Sequence, residues 1–421
     1  MFFIGKLKSI IGNINSFPDC RVDFPLYGLL LTSNTKDILN VVERKYTRSS
    51  VSRLSLKLNG VSSSVIHDDS KSEIIRQVML GHLKPGIYTK IAENATQQLV
   101  YLLNNQLEGK DFIEFYLYKQ LRKIFDKVML EDYLGVVDFS RLLKSLETVK
   151  SAPKRKERLG LATFIAALPI PFLLKSWCLP TARRWCHYRL TIAKIIHDHS
   201  IQHGALEGSY LETLLQQEKD GLLNKKDVLG EINSAFDGSS SISTSITWSL
   251  LAMAANNQYQ DAAKNKLMAR HCYMEALRLY PPFHVLSYES LPSPASKTNG
   301  CPYSQAKSFI RNLLPSKSRS TIISVIGVQR SSAYWSNGDA FIPERWGNGH
   351  TDITKMAYIP FGIGKRACPA RALSIVVGTT VLNSLFLNGF KFDLTADLPK
   401  PKRYYFLSDQ DQTVKISIPT D

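Results

Sequence analysis

The chain has 421 residues, of which 44% are apolar and 10% aromatic, so it can bury a sizeable core and is not an intrinsically disordered chain. Its six cysteines form no CxxC pair and no dense cluster, which argues against a disulfide framework and a thiolate zinc site and favours a reducing, cytoplasmic setting. A formal net charge of +17 favours an acidic partner. The basic residues are scattered, however, and no nucleic-acid-binding signature accompanies them, so we do not expect nucleic acid.

Two apolar stretches bear on membranes. Residues 1–13, MFFIGKLKSIIGN, place apolar side chains at near-helical spacing with lysines on the other side. The stretch is too short to span a bilayer, so we expect peripheral membrane contact at most. The run 159–174, LGLATFIAALPIPFLL, is also short and contains Pro169 and Pro171, which predicts a buried or interfacial helix that ends in a turn.

The periodicity predicts a mainly α protein with small β-sheets. Residues 21–66 have the breaks and alternation of short strands and a helix, and the pattern from 70 to 290 is mostly helical. Between 281 and 345, prolines and serines predict loops, with a little strand in the β-branched run STIISVIGV. A last helix and the strand-like pieces FKFDL and TVKISI close the chain. No internal repeat or linker divides residues 1–421, so we expect a single domain and a monomer.

The sequence YIPFGIGKRACPARALS, residues 358–374, places Cys368 immediately before a strong helical pattern, with Pro369 at a tolerated position in the first turn. Free amides and the helix dipole at such a position favour a thiolate. Gly362 and Gly364 permit a tight turn, and Phe361 can cover a flat ligand. A buried cysteine that packs as a small hydrophobe is the plainer interpretation of a lone cysteine.

The spacing overrides that interpretation, because FGIGKRAC resembles the haem-ligand loop of the cytochromes P-450. Phe361, Gly364, Arg366 and Cys368 stand at the offsets of that loop. The resemblance implies that Cys368 is the thiolate ligand of the iron of haem b, and that Phe361, Gly364 and Arg366 contact the cofactor. It also implies the fold of that family, with haem held between a long distal helix and the helix that follows the cysteine.

Two further motifs occur in the order that the family has. In EALR, Glu275 and Arg278 stand three apart on one helix face, where they can pair, and the apolar surroundings predict that the pair is buried. FIPERW supplies Arg345. The resemblance implies that Glu275, Arg278 and Arg345 form a structural network on the cysteine side of the haem.

The distal helix departs from the family pattern. In AFDGSSSISTSITW the glycine position holds Gly238, the acid position holds Ser240 and the threonine position holds Ser241. A serine hydroxyl donates and accepts as threonine does, so the alcohol is retained while the acid is missing. Asp237 faces differently on a helix. We expect proton delivery through Ser240, Ser241 and water; a serine-rich helix segment without catalytic duty is the alternative.

The propionate contacts differ as well. Ala370 replaces a glycine that follows the cysteine in the family, and Tyr288 stands where many members have an arginine for a haem propionate. Arg366 is therefore the best propionate partner, and Arg76 is a weaker one, for which a solvated helix residue is the plainer interpretation.

The resemblance implies a monooxygenase that oxidises a hydrophobic small molecule, of lipid or terpenoid type, with O2. Electrons are expected from a separate ferredoxin, flavodoxin or reductase, and a basic face around Lys365 and Arg366 suits such an acidic carrier. The apolar run near residue 165 falls where the family has a lid over the substrate.

Three other functions remain open at this stage. A haem-thiolate enzyme can use peroxide, or couple or rearrange its substrate, and a haem binder need not turn over; the missing acid motivates both. A zinc hydrolase is the third, from His197, His199 and His203, although no HExxH-type glutamate accompanies these histidines.

Overall fold

The computed structural model of the chain describes residues 21–24, 29–43, 60, 70–147, 149, 178–290, 319–347, 357–364, 367–398 and 413–418. Several sequence predictions lie outside these residues. They are the amphipathic N-terminus, the apolar run 159–174 with the expected lid, and the basic positions Lys365 and Arg366.

Helices make up most of the described residues, as the periodicity predicts. They are α1 (Thr35–Glu43), α2 (Ser70–His82), α3 (Pro85–Leu107), α4 (Leu117–Val128), α5 (Phe139–Glu147), α6 (Cys178–His203), α7 (Tyr210–Lys219), α8 (Lys225–Ala254), α9 (Gln258–Ala262), α10 (Lys266–Leu279), α11 (Val325–Arg330) and α12 (Arg371–Leu387). A π-helical turn, Met129–Leu134, continues α4, and a 3₁₀ turn spans Pro343–Trp346.

Two small sheets accompany the helices in the described residues. Their strands are β1 (Arg21–Phe24), β2 (Leu29–Thr32), β3 (Ile113–Tyr116), β4 (Val285–Ser290), β5 (Arg319–Ser324), β6 (Lys391–Leu394) and β7 (Thr413–Ser417). One sheet has the order β1-β2-β5-β4, in which β2 and β5 run parallel, and the other has the order β3-β7-β6. The predicted strands FKFDL and TVKISI are β6 and β7, which pair with Phe392 opposite Ile416.

One local prediction was wrong, and another, the strand in STIISVIGV, is confirmed only in its first part. The segment that opens as FIEFY was predicted helical, but Ile113–Tyr116 is β3, because its buried and exposed residues alternate and it pairs with β7. The β-branched run after residue 319 is a strand only to Ser324. The Ser324 hydroxyl there accepts a hydrogen bond from the Gly327 amide at 3.1 Å, and this cap starts α11.

Helix α8 runs for 30 residues through the interior. It begins with a capping box, in which the Asn224 side chain accepts from the Asp227 amide and the Asp227 carboxylate accepts from the Asn224 amide. Every residue from 242 to 254 is buried. Near the end of this helix, Trp248 stacks on Tyr280 with ring centroids 4.6 Å apart. The helix is thus anchored at both ends, which fixes the position of the serine-rich segment between them.

The main hydrophobic core surrounds α8. It joins α3, α4, α10 and α12 with the sheet of β3, β6 and β7. A second apolar cluster contains Met274, Tyr288, Trp335, Trp346 and Ile359, between α10 and the segment that leads to the cysteine. No helix among the described residues is both long and apolar enough to cross a membrane.

Candidate functional site: the cysteine loop and the helix that faces it

The loop before α12 turns sharply and returns to itself. Gly362 and Gly364 have φ angles of +76° and +65°, which side chains other than glycine rarely adopt. The Cys368 amide donates to the Phe361 carbonyl at 2.7 Å, and this bond closes the loop. The Arg371 guanidinium lies 5.7 Å from the Phe361 ring centroid. Helix α12 begins at Arg371, so Pro369 lies in the preceding turn and not in the first helical turn.

Cys368 differs from Cys186 and Cys272, the other cysteines whose side chains the structure describes. Its side chain is exposed, whereas Cys272 is buried and Cys186 is half-buried. Burial raises the pKa of the Cys272 thiol to about 12 and also raises the pKa of Cys186, which keeps both protonated near neutral pH. Of these three thiols, Cys368 is the most accessible.

Arg76 reaches the cysteine loop from α2. Its Nη2 atom donates to the carbonyl oxygen of Ala367, the residue before Cys368, at 3.0 Å. The side chain is therefore not simply a solvated helix residue. The other expected propionate partner, Arg366, lies outside the described residues.

Tyr288 and Gln329 also hold the segment around the loop. The Tyr288 hydroxyl accepts from the Ile363 amide at 3.3 Å and lies 3.5 Å from the Ile363 carbonyl oxygen. The Gln329 side chain accepts from the Ile359 amide at 2.8 Å and donates to the carbonyls of Leu277 and Arg278. Tyr288 thus contacts the loop backbone, and Gln329 ties its approach to the end of α10. No local sequence signal indicates Gln329, because it lies some fifty residues from its helix partners.

Glu275 and Arg278 lie together in the interior, and both side chains are completely buried. Two parallel bonds join them, Arg278 Nη2 to Glu275 Oε1 at 2.8 Å and Arg278 Nε to Glu275 Oε2 at 2.9 Å. Arg345 Nε donates to Glu275 Oε1 at 3.0 Å. The pattern that predicted the buried pair therefore corresponds to an actual bidentate ion pair, with the third member beside it.

The remaining hydrogen-bonding capacity of this pair is used by groups that sequence reasoning missed. The Trp346 indole and the Ile342 amide both donate to the Glu275 carboxylate at 3.0 Å. Arg278 Nη1 donates to the carbonyls of Gln329 and Gly338 at 2.6 Å. Buried charges of this kind need such partners, because a charge left unpaired in the interior costs several kcal/mol.

The beginning of the serine-rich segment of α8 is partly accessible. Asp237, Gly238, Ser240 and Ser241 are partly exposed, in contrast to the buried residues from 242 onward. The Ser241 hydroxyl donates to the Asp237 carbonyl at 2.9 Å, whereas the Ser240 hydroxyl lies 3.2 Å from the hydroxyl of Tyr118 on α4. The Asp237 carboxylate pairs with Arg189 of α6 at 2.9 Å. Asp237 therefore does not replace the missing acid.

Tyr273 of α10 connects α8 with α12. Its hydroxyl lies 2.9 Å from the Ser374 hydroxyl of α12. Burial, with a smaller contribution from the charge of Cys368, raises the pKa of Tyr273 to about 12, although hydrogen bonds with Ser374 and Ser245 oppose the rise. Tyr273 therefore lies between the stretch of α8 that contains Ser245 and the beginning of α12, near Cys368.

The described residues fit a haem group. The exposed Cys368 thiol supplies the soft ligand that haem-thiolate proteins use. On α8, Gly238, Ser241 and Ser245 share one helix face, and a Cβ placed at Gly238 would meet only the terminal carbon of Met129, at 3.7 Å. The α8 backbone therefore leaves room beside Gly238 for a flat ligand, which Cys368 would hold.

Two of the three histidines considered for zinc, His197 and His199, bond to other groups. His197 bonds the Glu218 carboxylate at 2.7 Å, and His199 bonds the Val137 carbonyl at 2.9 Å. In the described part of the chain, no group of three His, Cys, Asp or Glu side chains is arranged to hold a metal ion. These contacts do not support the zinc-hydrolase alternative.

Comparison with known sequences identifies relatives. The family model described as Cytochrome P450 matches residues 309–413, which include the cysteine loop. Human cytochrome P450 4A11 is 26% identical over 266 residues, 54% of this chain and 47% of the relative. Germacrene A hydroxylase of Tanacetum parthenium is 32% identical over 103 residues, 24% of this chain and 18% of the relative. The chain thus spans less than half the length of these curated relatives.

Solved structures agree in fold. CYP175A1 from a strain of Thermus thermophilus superposes with a TM-score of 0.69 at 17% identity, covering 99% of this chain and 97% of that one. A six-coordinated cytochrome P450 from a second strain of Thermus thermophilus gives a TM-score of 0.66 at 17% identity and covers 98% of each chain. With an exposed cysteine in the matched loop and this mainly α fold, the chain is similar to the cytochromes P450, a family whose cofactor is haem, and it has their fold.

Proposed function

We propose that this protein is a haem-thiolate monooxygenase that oxidises a hydrophobic small molecule with O2 and electrons from a separate carrier. The observation that carries the proposal is the exposed Cys368 thiol in a loop closed by the Phe361 carbonyl. When bound, haem supplies the dioxygen and one-electron chemistry. The chain's own residues hold the group, exclude water and move protons.

In this proposal Cys368 is the iron ligand, and the turn at Gly364 lets the loop backbone approach the cofactor. Phe361 covers the ring next to the thiolate. Arg76 and Arg366 contact the propionates. Arg76 is supported by its bond to Ala367, which already places its guanidinium at the loop.

The network of Glu275, Arg278 and Arg345 braces the cysteine side of the fold. Its support is the complete burial of Glu275 and Arg278 and the bonds from Arg278 to backbone carbonyls of the segments that follow α11. The network fixes the path of the chain toward the loop and takes no part in chemistry.

Gly238, Ser240 and Ser241 serve the distal side. Gly238 leaves room for substrate and oxygen beside α8. The Ser241 hydroxyl donates a hydrogen bond to the Asp237 carbonyl. Its lone pairs therefore remain to accept a hydrogen bond from water in the pocket. The Ser240 hydroxyl contacts the hydroxyl of Tyr118 and not a carbonyl of its own helix. It can therefore donate toward the pocket.

The proposed substrate is an apolar molecule of lipid or terpenoid type. Two relatives support this class by name: germacrene A hydroxylase of Tanacetum parthenium, and amorpha-4,11-diene 12-monooxygenase of Artemisia annua, which is 32% identical over 103 residues. Oxidation of such molecules requires a pocket that is mostly apolar, with few polar groups to orient the substrate.

An acidic electron carrier is the proposed partner. An open groove of about 880 Å³ lies beside the cysteine, between α10 and α12. Leu267, Ile375 and Val376 line its apolar part, and Lys266 and Arg270 add positive charge at exposed positions. A carrier with an acidic surface and an apolar centre would complement this groove. The proposed basic positions Lys365 and Arg366 lie outside the described residues.

We further propose a single domain, a monomer and a cytoplasmic protein with at most peripheral membrane contact. The cysteine spacing supports the reducing compartment, and the shared core around α8 supports one domain.

The activity is tested by supplying the haem-loaded protein with a reductase, ¹⁸O₂ and a panel of sesquiterpenes and fatty acids. We expect product that contains one ¹⁸O atom and is absent in the Cys368→Ala variant. The missing distal acid favours one second candidate, peroxide-driven oxidation. Product formed with hydrogen peroxide, and none with O2 and reductant, would establish that candidate instead.

A further inference from the structure

A row of polar side chains on α4 faces the serine-rich part of α8. Tyr118, Arg122 and Asp126 are spaced by four residues and therefore share one face of α4. Asp126 Oδ1 accepts from the Ser239 hydroxyl at 2.5 Å, and its Oδ2 atom accepts from Arg122 Nε at 2.8 Å. The Tyr118 hydroxyl lies 3.2 Å from the Ser240 hydroxyl. The serine pattern of α8 alone would not have indicated these contacts.

The Ser240 hydroxyl is unlike the other hydroxyls of α8. Each of the others lies within hydrogen-bond distance of a backbone carbonyl of the preceding turn, three residues back for Ser239, whose proton is shared with Asp126, and four residues back for the rest. These others are Ser234, Ser239, Ser241, Ser243, Thr244, Ser245, Thr247 and Ser249. Ser240 alone on this described helix has a side-chain hydroxyl as its recorded partner. Either hydroxyl can be the donor in this pair, and when Tyr118 donates, the Ser240 proton is left for another acceptor.

The nearby carboxylates cannot serve in place of Tyr118. Asp126 is held by Arg122 and Ser239, and Asp237 is held by Arg189. Neither carboxylate forms a hydrogen bond with the hydroxyl of Ser240 or Ser241 in the described structure. Both are turned to arginines, whereas the phenol of Tyr118 is 9% exposed and lies against Ser240.

Ser240 lies between this row and the face of α8 toward the cysteine. Successive residues of a helix are about 100° apart, so Ser240 stands about 100° from Ser241 and farther from Gly238 and Ser245. Water is therefore needed to carry its proton to their face. Ser240 is partly exposed, which leaves its hydroxyl in reach of water.

We propose that Tyr118 takes over, through Ser240, the proton relay that the missing distal acid would perform, an inference that rests on the proposed monooxygenase. The Ser240 Oγ–H bond breaks as its proton passes to pocket water. The Tyr118 Oη–H bond breaks and a new Ser240 Oγ–H bond forms. Solvent then returns a proton to Tyr118 Oη, so that no net charge or electron is left on either residue. Tyr118 is a positioning residue in this scheme, because it acts through Ser240.

The test compares Tyr118→Phe with the matched hydroxyl deletion Tyr101→Phe, at a tyrosine that is 69% exposed on α3. The first readout is coupling, the product formed per reductant consumed under O2. We expect Tyr118→Phe to lower coupling by about tenfold, with an altered solvent-deuterium isotope effect, and Tyr101→Phe to match the wild type. Unchanged coupling and isotope effect in Tyr118→Phe would overturn the inference.

A second readout does not depend on turnover. The C–O stretching frequency of the carbon monoxide complex reports hydrogen bonds donated on the distal side, and we expect it to change in both Tyr118→Phe and Ser240→Ala. An identical frequency in wild type and both variants would contradict the relay.

A third variant distinguishes a proton-relay role of Tyr118 from a role in packing. Ser240→Asp in the Tyr118→Phe background restores an acid at its usual position, and we expect it to regain most of the lost coupling. If coupling stays low, the loss in Tyr118→Phe came from packing and the inference is wrong. If the wild type forms no product with O2, the proposed monooxygenase activity is wrong, and so is the relay that rests on it.

Discussion

The side chain of Arg76 donates from Nη2 to the carbonyl oxygen of Ala367 at 3.0 Å, which ties α2 to the residue before the iron-ligand candidate Cys368. The two partners are 291 residues apart in sequence. A long-range bond at this point holds the loop in place, and a charge-assisted hydrogen bond is worth about 1.5–3 kcal/mol.

We therefore expect Arg76→Leu to loosen the loop and lower haem retention severalfold, because the Ala367 carbonyl loses its donor. Haem absorbance per protein after dialysis measures the effect. Arg141→Leu, at an exposed arginine of α5, is the matched control. Equal haem content in both variants would contradict a role of Arg76 at the loop.

Gly378 on α12 packs against the ring of Tyr273, and a Cβ added there would lie 2.3 Å from ring carbons. Tyr273 is fully buried and cannot move away. Gly378→Ala is thus expected to lower the free energy of unfolding by about 1–3 kcal/mol. Gly81→Ala on α2, where no heavy atom lies within 4 Å of the added Cβ, is expected to be neutral or to stabilise. Chemical denaturation measures the free energy of unfolding of both variants. Equal stability of the two would contradict the close contact between Gly378 and the Tyr273 ring.

Removing one partner of the buried ion pair should be severe. Arg278→Leu leaves the Glu275 carboxylate uncompensated at a completely buried site, so we expect a loss of about 3–5 kcal/mol. Lys264→Leu breaks an ion pair with Asp261 in which the Lys264 side chain is 52% exposed and the Asp261 side chain 71% exposed. We expect this variant to change the free energy of unfolding little. Thermal unfolding of the two variants measures the contrast, and a similar small shift for both would contradict the bracing role.

His284 makes stability depend on pH. Its side chain is buried, neither ring nitrogen has a hydrogen-bond partner in the described structure, and burial lowers its pKa from 6.5 to about 3. Below pH 6.5 the unfolded chain binds a proton that the folded chain does not, so this contribution to stability is complete above pH 6.5 and declines as pH falls toward 3.

Between pH 6.5 and about pH 5 the wild type should lose about 1.5 kcal/mol more than His284→Leu, which lacks the titrating group. Denaturation with urea at the two pH values measures the difference. Parallel pH dependence in the two proteins would show that His284 is not held neutral.

The groove beside the cysteine predicts salt-sensitive electron transfer. Arg270→Glu reverses a charge in the groove lining and should slow reduction by an acidic ferredoxin severalfold, as added salt does for the wild type. Lys226→Glu makes the same charge change at an exposed position outside this lining. Stopped-flow reduction rates test this prediction, and equal rates for both variants would place the docking surface elsewhere.

The parts of the site that could be predicted from the sequence are those with local signals. Cys368 stands before a helix pattern, and Glu275 and Arg278 stand three apart on one helix, so neighbouring residues define both features. The contact between Tyr118 and Ser240 illustrates what escapes such reasoning. These two residues are 122 positions apart, and only the packing of α4 against α8 brings them together.

Strand β3 shows the same limit for secondary structure. Its sequence, IEFY, continues directly into the helical LYKQLRKIF, so a window that covers both is dominated by the helix. The deciding interaction is the antiparallel pairing of Phe115 with Val414, close to the opposite end of the chain. Strand pairing over such a distance leaves no periodic mark in the local sequence.

The ligation of haem by Cys368 is tested most directly by the absorption spectrum of the dithionite-reduced protein under carbon monoxide, recorded for the wild type, Cys368→His and Cys272→Ala. We predict a strongly red-shifted Soret band for the wild type and Cys272→Ala, and its loss in Cys368→His. A Soret band typical of a nitrogen ligand in the wild type, or a red-shifted band that persists in Cys368→His, would contradict this ligation.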